Sequence, residues 1–347
     1  MLLKFTHFRR RAPLLALGIM LWACADADQI ATEPLTDPVA ATLTDTDLAT
    51  TALTPTTAAV SYSGLPYGPI GLWSSWTSFS WGPQPFTGTQ NFVEASGVIK
   101  RIDYARSRGH RLLLAMTGGP TSYYTTNGRF DFGKWKKRMN TYNTAVIKQA
   151  IAAGIRDGTI IGNQLIDEPE TRRWGGVVTK ALIDDMGRYV KSMFPGLPVG
   201  VNHGPPGYLW RASERYRVLD YAIYQYNHYI TSGNAAQWRD RVLAQARRDG
   251  LTPAFSLNIL DGGKQDREGS WGCGGSGQAG KGTYYPNCRM TASQVKEWGR
   301  SLGPAGCTLQ MWRYDGNYMS KSANQDAFRT VASHLKAQPR RSCRRPA

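Results

Sequence analysis

At 347 residues the chain exceeds one average domain, and its 41% apolar residues suffice for a sizeable core. The net charge of +17 would attract polyanions such as acidic polysaccharide, nucleic acid or anionic lipid headgroups, and it is equally that of a merely soluble, high-pI protein. A ribonucleoprotein motif, zinc-finger spacing and a basic helix with heptads are all absent, so no nucleic-acid partner is expected.

Residues 1–23 read as a targeting segment. Lys4, Arg9, Arg10 and Arg11 form a positive head, and the apolar stretch Ala12 to Ala23 is too short to span a membrane. Leu21-Trp22-Ala23-Cys24 resembles a bacterial lipobox, with Cys24 as the lipidated first residue of the mature chain. Cleavage after Ala23-Cys24-Ala25 is the alternative. An exported lipoprotein at the outer membrane or cell surface is therefore expected, or else a secreted or periplasmic protein. Residues 24–60 read as a disordered tether rich in Thr, Ala, Asp and Pro, with six acids and no Lys or Arg. Four basic residues precede it, so of 42 basic and 25 acidic residues 38 and 19 remain for residues 61–347, or about +19.

Downstream, strand-like and helix-like segments alternate, the signature of a parallel α/β fold. Ile70 to Trp76 reads as a strand, Phe92 to Arg108 as a helix and Arg111 to Met116 as a strand. Phe132 to Ala153 follows as one long helix. Ile160-Ile161-Gly162-Asn163-Gln164-Leu165-Ile166 is then an apolar strand ending in Asp167-Glu168-Pro169. Ala181 to Met193 is a helix, Pro198 to Val201 a strand finishing at Asn202-His203-Gly204, and Leu219 to Tyr226 a strand finishing at Asn227-His228. Ala235 to Arg248 (helix), Ala254 to Leu260 (strand), Thr291 to Leu302 (helix), Thr308 to Trp312 (strand) and Asn324 to Leu335 (helix) complete the series. Seven strands are one short of a closed barrel, and the eighth is expected within Trp76 to Phe86. The fold class is α/β, a single-domain (β/α)8 TIM barrel over 61–347 after the tether. A doubly wound sheet would want a phosphate-binding Gly turn after the first strand, and Leu72-Trp73-Ser74-Ser75-Trp76 is not one.

With Cys24 lipidated, four cysteines remain. Cys273 and Cys288 share one long loop, whereas Cys307 opens a strand on the face where the last helix delivers Cys343. Cys273–Cys288 and Cys307–Cys343 are the expected disulfides. Metal binding is the weaker reading, because neither Cys-x-x-Cys nor His-Glu-x-x-His occurs. Gly275 to Gly282 nearly spells a P-loop, but Gly282 stands where a magnesium-binding Ser or Thr belongs, so no nucleotide or other cofactor is expected.

In a barrel of this kind the C-terminal strand ends crown one face. They carry Trp73, Trp76, Thr117, Gly118, Asp167, Glu168, His203, Gln225, Tyr226, Asn227, Asp261, Trp312 and Tyr314. Aromatic platforms match the apolar faces of sugar rings, and carboxylates and amides match their hydroxyls. The Asp167-Glu168 pair itself admits two readings: a helix cap beside a solvated loop charge, or catalytic carboxylates.

The set resembles the barrel glycoside hydrolases. Glu168-Pro169 at a mid-barrel strand end with Trp312 at the last strand is similar to the clan of cellulases and mannanases, which implies Glu168 as proton donor. That clan's nucleophile is a Glu at the seventh strand's end, where Asp261 is the nearest carboxylate here. Thr117-Gly118-Gly119, Tyr224-Gln225-Tyr226-Asn227 and Met311-Trp312-Arg313-Tyr314 resemble strands of the chitinase-like family 18 barrels, although Ile166 stands where their second catalytic Asp would be. Adjacent Asp167-Glu168 resembles hexosaminidases that use the substrate's acetamido group as nucleophile. The resemblance implies a hydrolase acting on a polysaccharide, acidic or containing amino sugars. Glu168 would be its general acid, raised in pKa by burial against Trp and Tyr, with Asp167 or Asp261 completing the chemistry. Trp73, Trp76, His203, Gln225, Tyr226, Asn227, Trp312 and Tyr314 would hold the sugar. The rivals are a non-catalytic glycan-binding lipoprotein on the same scaffold and an adhesin for anionic polymers. A monomer is expected, with membrane contact only through the lipid.

Overall fold

The computed structural model describes residues 62–72, 85–170, 172–204, 208–228, 234–263, 289–312 and 314–346. Eight parallel strands form one sheet: β1 (Tyr67–Pro69), β2 (Gly88–Phe92), β3 (Arg111–Ala115), β4 (Ile160–Asp167), β5 (Val199–Gly204), β6 (Tyr221–Tyr226), β7 (Thr252–Asn258) and β8 (Leu309–Trp312). Their hydrogen-bonded order is β1-β8-β7-β6-β5-β4-β3-β2. The two ends of that order then meet. Thr87 N–H donates to the Tyr67 carbonyl and Gly71 N–H to the Gln90 carbonyl, each at 2.9 Å, and the sheet closes into a (β/α)8 barrel. Glycines permit the seam, since a Cβ on Gly68 would fall 2.0 Å from the Gly88 carbonyl oxygen.

Around the strands lie α1 (Val98–Ser107), α2 (Phe132–Asn140), α3 (Ala145–Arg156), α4 (Lys180–Met193), the short α5 (Tyr208–Arg211), α6 (Ala235–Asp249), α7 (Ala292–Leu302), the short α8 (Gly316–Met319) and α9 (Ser322–Lys336). The side-chain oxygens of Asp131, Thr144, Thr179, Asn234 and Thr291 each accept a backbone N–H in the first turn of α2, α3, α4, α6 and α7, offsetting donors a helix start leaves unpaired. Between strands and helices runs the main apolar shell, in which Leu112, Leu114, Leu165, Val201, Tyr224, Tyr226, Phe255, Leu257 and Leu309 meet Ile102, Met139, Val190, Trp238, Val295 and Val331. A smaller cluster of Leu113, Tyr221, Ile223, Ala254 and Cys307 fills the barrel's lower interior. Tyr221 is its wedge. A Cβ on Gly162 or Gly200 would lie 2.7 or 2.3 Å from its ring, so two neighbouring strands carry glycine to admit it.

Three expectations shift. The first strand lies at Tyr67–Pro69 rather than Ile70 to Trp76, because Ile70 enters a turn and Gly71 takes a left-handed φ of 76°. The eighth strand is Gly88–Phe92, beyond Trp76 to Phe86; it takes Phe92 from the segment otherwise read as helix, and a 3₁₀ turn at Ala95–Gly97 precedes α1, which begins at Val98. Polar Gln90 and Asn91, both buried, erase the apolar pattern there. The long helix is two, broken ahead of Thr144, whose hydroxyl caps α3 by accepting the Ile147 N–H.

Cys307 and Cys343 are disulfide-bonded as expected, with a Cα–Cα distance of 5.2 Å and a sequence separation of 36. Cys24, Cys273, Cys288, Trp73, Trp76, the 1–23 segment, the tether and the Gly275 to Gly282 loop lie outside the described residues. Among the described residues no helix is long and apolar enough to cross a membrane. All eight strands and the disulfide fall within 62–346. Closing a loop of this length restricts the unfolded chain, so Cys343→Ser is expected to cost about 3 kcal/mol in denaturant unfolding. An unchanged midpoint would show that the bond carries no stability.

Candidate active site

The site begins with an irregularity in β4. Gln164 pairs with Gly200 and Asp167 with Asn202, so a step of three residues on β4 faces a step of two on β5. This bulge places Leu165 and Ile166 together in the outer apolar shell, and the parity of the strand changes. Gln164 and Asp167 thereby both turn to the barrel interior, where Gln164 Nε2 approaches Asp167 Oδ1 at 3.5 Å. Trp135 of α2 donates its indole N–H to the Leu165 carbonyl at 3.1 Å, inside the bulged stretch.

Asp167 is held from several sides. Asn202 Nδ2 donates to its Oδ1 at 2.6 Å and Arg173 Nη2 to its Oδ2 at 3.0 Å, while Trp174 Nε1 donates to its backbone carbonyl at 2.9 Å. The same Arg173 nitrogen lies 3.1 Å from Glu168 Oε2, so one guanidinium bridges the two carboxylates. Gln164 in turn accepts from Gln90 Nε2 at 2.6 Å, which ties β2 to the group. Glu168 is buried and has a φ of 42°, one of two non-glycine residues with positive φ among those described. For a residue with a Cβ this backbone costs roughly 1–2 kcal/mol. Its N–H, bonded to the Asn202 carbonyl at 2.8 Å, fixes it there.

Glu170 was not singled out by its sequence. The residue as a whole is partly exposed, but its Oε2 is sealed from solvent without a hydrogen-bond partner among the described residues. Burial, and then the neighbouring Glu168 charge, push its pKa well above 4.5. Arg173, Asn202 and Gln164 were missed too. The available signals were the third carboxylate in Asp167-Glu168-Pro169-Glu170 and the Asn at the end of β5.

Below the carboxylates the interior is polar. Gln225, Ser256 and Gln310 sit side by side in register on β6, β7 and β8, each between neighbours that face the outer shell. All three are buried, and Ser256 Oγ and both amide atoms of Gln310 have no hydrogen-bond partner among the described residues. Unused donors and acceptors beneath a mouth suit a hydroxyl-rich guest or ordered water.

The expected sugar contacts divide. Asp167 and Gln225 face the interior, and Trp312 lies partly exposed at the end of β8. Tyr314 is also partly exposed and donates its N–H to the Ile70 carbonyl. His203 and Tyr226 turn the other way. His203 stacks on Tyr224 at 5.7 Å, and burial, followed by Lys180, lowers its pKa to about 3, so it is a neutral ring behind the strand. Tyr226 packs between Trp238 of α6 and Trp298 of α7 at 5.3 and 4.9 Å. Asn227 is fully buried and donates to the Asp261 carbonyl at 2.9 Å, joining the ends of β6 and β7. Asp261 therefore sits at the mouth in a turn that Asn258 Oδ1 holds by accepting its N–H. No group of three metal-ligating side chains occurs among the described residues.

No protein-family model matches the chain, and no curated protein matches it in sequence. Its fold is similar to that of Pseudomonas stutzeri endoglucanase Cel5A, with a TM-score of 0.50 at 10% identity over 81% of this chain and 97% of that one. Rhizomucor miehei chitinase RmChi1 superposes with a TM-score of 0.45 at 12% identity over 78% and 99%. A psychrophilic glycoside hydrolase family 10 endo-β-1,4-xylanase gives 0.47 at 9% over 77% and 96%. The likeness is one of fold alone.

Glu170 yields a pH prediction. Its folded-state pKa lies above the 4.5 of the free side chain, so the folded chain binds the extra proton and stability falls as pH rises past 4.5. Glu170→Gln should raise the thermal midpoint at alkaline pH and leave it unchanged at pH below 4.5. A shift equal at both pH values would contradict the buried carboxyl.

Proposed function

We propose that the chain hydrolyses O-glycosidic bonds in a polysaccharide, with Glu168 as the general acid. One observation carries this reading. A β-bulge aims Asp167 into the barrel beside a strained Glu168, at the C-terminal strand end and above a polar floor. A helix cap with a solvated loop charge would need none of these features. In the reaction the Glu168 carboxyl passes its proton to the glycosidic oxygen as the bond to the sugar carbon breaks. To do so Glu168 gives up its contact with Arg173, while Asp167 and Asn202 keep that guanidinium and the strand end in place. Arg173 is one described partner of Glu168. Asp167 would orient an acetamido group, or Asp261 at the end of β7 would serve as nucleophile or base. Gln225 and Gln310 offer amide contacts to sugar hydroxyls, and Trp312 a stacking face. The excess of basic residues favours acidic polymers as substrate.

The Arg173–Glu168 contact also favours a second reading, a barrel that binds glycans without cleaving them. Both are tested by release of reducing ends from a panel of acidic and amino-sugar polysaccharides. Glu168→Gln is expected to lower turnover on a cleaved polymer by roughly 10²–10⁴-fold. Unchanged turnover would remove Glu168 from the chemistry, and binding without cleavage by either protein would establish the second reading.

A further inference from the structure

We propose that the underside of the barrel, opposite the strand ends that bear Asp167 and Glu168, is a docking surface for an anionic lipid bilayer. After α9 the chain runs Arg340-Arg341-Ser342-Cys343-Arg344-Arg345, four arginines in six residues. This tail is fixed across the underside. Cys343 is bonded to Cys307 just ahead of β8, and the Arg344 carbonyl accepts from Thr252 Oγ1 at the start of β7 at 2.6 Å. The Arg345 guanidinium donates to the Leu219 and Tyr216 carbonyls at 3.2 and 2.9 Å. The guanidinium of Arg340 lies against Gly158 before β4, and that of Arg344 against Gly196 before β5.

Arg340, Arg341 and Arg344 are exposed, and none forms an ion pair with a described residue. Exposed Arg108, Arg156, Arg247 and Lys336 add charge from the C-terminal ends of α1, α3, α6 and α9. Two described acids near this face are already engaged, Asp157 with Arg106 at 2.7 Å and Asp220 with Lys191 at 2.8 Å. One cation near each helix end would answer the helix dipole. The tail exceeds that need, because Arg344 and Arg345 follow no helix and run beneath the strand starts. Guanidinium groups pair with phosphate oxygens two bonds at a time, which suits lipid headgroups.

The chain also enters the barrel on this side. Tyr62 reaches the barrel on this same face, its hydroxyl 2.7 Å from Thr159 Oγ1 just ahead of β4 and its ring beneath Arg111.

The test uses the chain from Ala25 onward, which carries no lipid and retains the barrel. Co-sedimentation is measured with phosphatidylcholine vesicles, with and without phosphatidylglycerol. Binding is expected only to the anionic vesicles and should fall steeply as salt rises. In Arg340→Glu/Arg341→Glu/Arg344→Glu it should drop about tenfold or more, with the thermal midpoint unchanged. Equal binding to both vesicles, salt-insensitive binding, or binding that survives the triple substitution would overturn the proposal. Arginine-dependent capture of soluble polygalacturonate without vesicle binding would overturn it in favour of a polymer. Vesicle binding that emerges only after residues 25–60 are deleted would make the acidic tether the occupant and would also overturn it.

Discussion

Between Gln164 and Asp167, β4 has one residue more than β5 can pair, and the mouth of the barrel is organised around that excess. Strict alternation would send Asp167 outward to join Leu165 in the apolar shell, an untenable place for a carboxylate. The bulge instead doubles the apolar contribution as Leu165-Ile166 and returns Asp167 to the interior. There Asn202, Gln164 and Arg173 meet it, and the same Arg173 reaches the adjacent Glu168. Glu168, left-handed and pinned by the Asn202 carbonyl, is the point where the extra backbone length is turned out of the strand. Strain of this kind persists where the surroundings over-determine it, and here three strands and the Arg172–Trp174 turn do so.

Charge is distributed by the same architecture. The end of β4 gathers Asp167, Glu168 and Glu170 near Arg173, which bridges the first two, while helix ends and the disulfide-held tail gather cations underneath. Crowding of carboxyls in a desolvated place separates their roles. Glu170 retains a proton to higher pH than an ordinary glutamate, and Glu168 and Asp167 share the guanidinium. The interior floor of Gln225, Ser256 and Gln310 would be a poor choice for a structural core, where paired or apolar side chains are the norm. It is a reasonable one beneath a pocket that admits hydroxyls.

Much of the fold was legible. Buried parallel strands are short apolar runs, and six of the eight were placed within a few residues because Val, Leu and Tyr dominate them. The Cys307–Cys343 bond followed from the topology alone. The two strands misplaced, β1 and β2, are the ones where this signal fails. β1 is three residues long and Gly71 closes it, and β2 spends its buried positions on Gln90 and Asn91. The site was legible in position but not in direction. A strand end can be located from sequence, whereas which of two successive side chains turns inward depends on bulges that leave no compositional mark. Hence Asp167 and Gln225 face the interior, while His203 and Tyr226, one residue from inward positions, pack into the helical shell. Arg173 and Asn202 escaped notice because their importance lies in contacts between separate segments.

In the proposed reaction the reacting bond of a glycan lies against Glu168. This placement is tested most directly by the crystal structure of Glu168→Gln soaked with an oligosaccharide from the polymer that the unaltered chain cleaves. The expected complex has a glycosidic oxygen within hydrogen-bond distance of the residue 168 amide, with the sugar over Gln225 and Gln310 and beside Trp312. An oligosaccharide bound in a productive pose away from β4, with Arg173 still closing off residue 168, would contradict it.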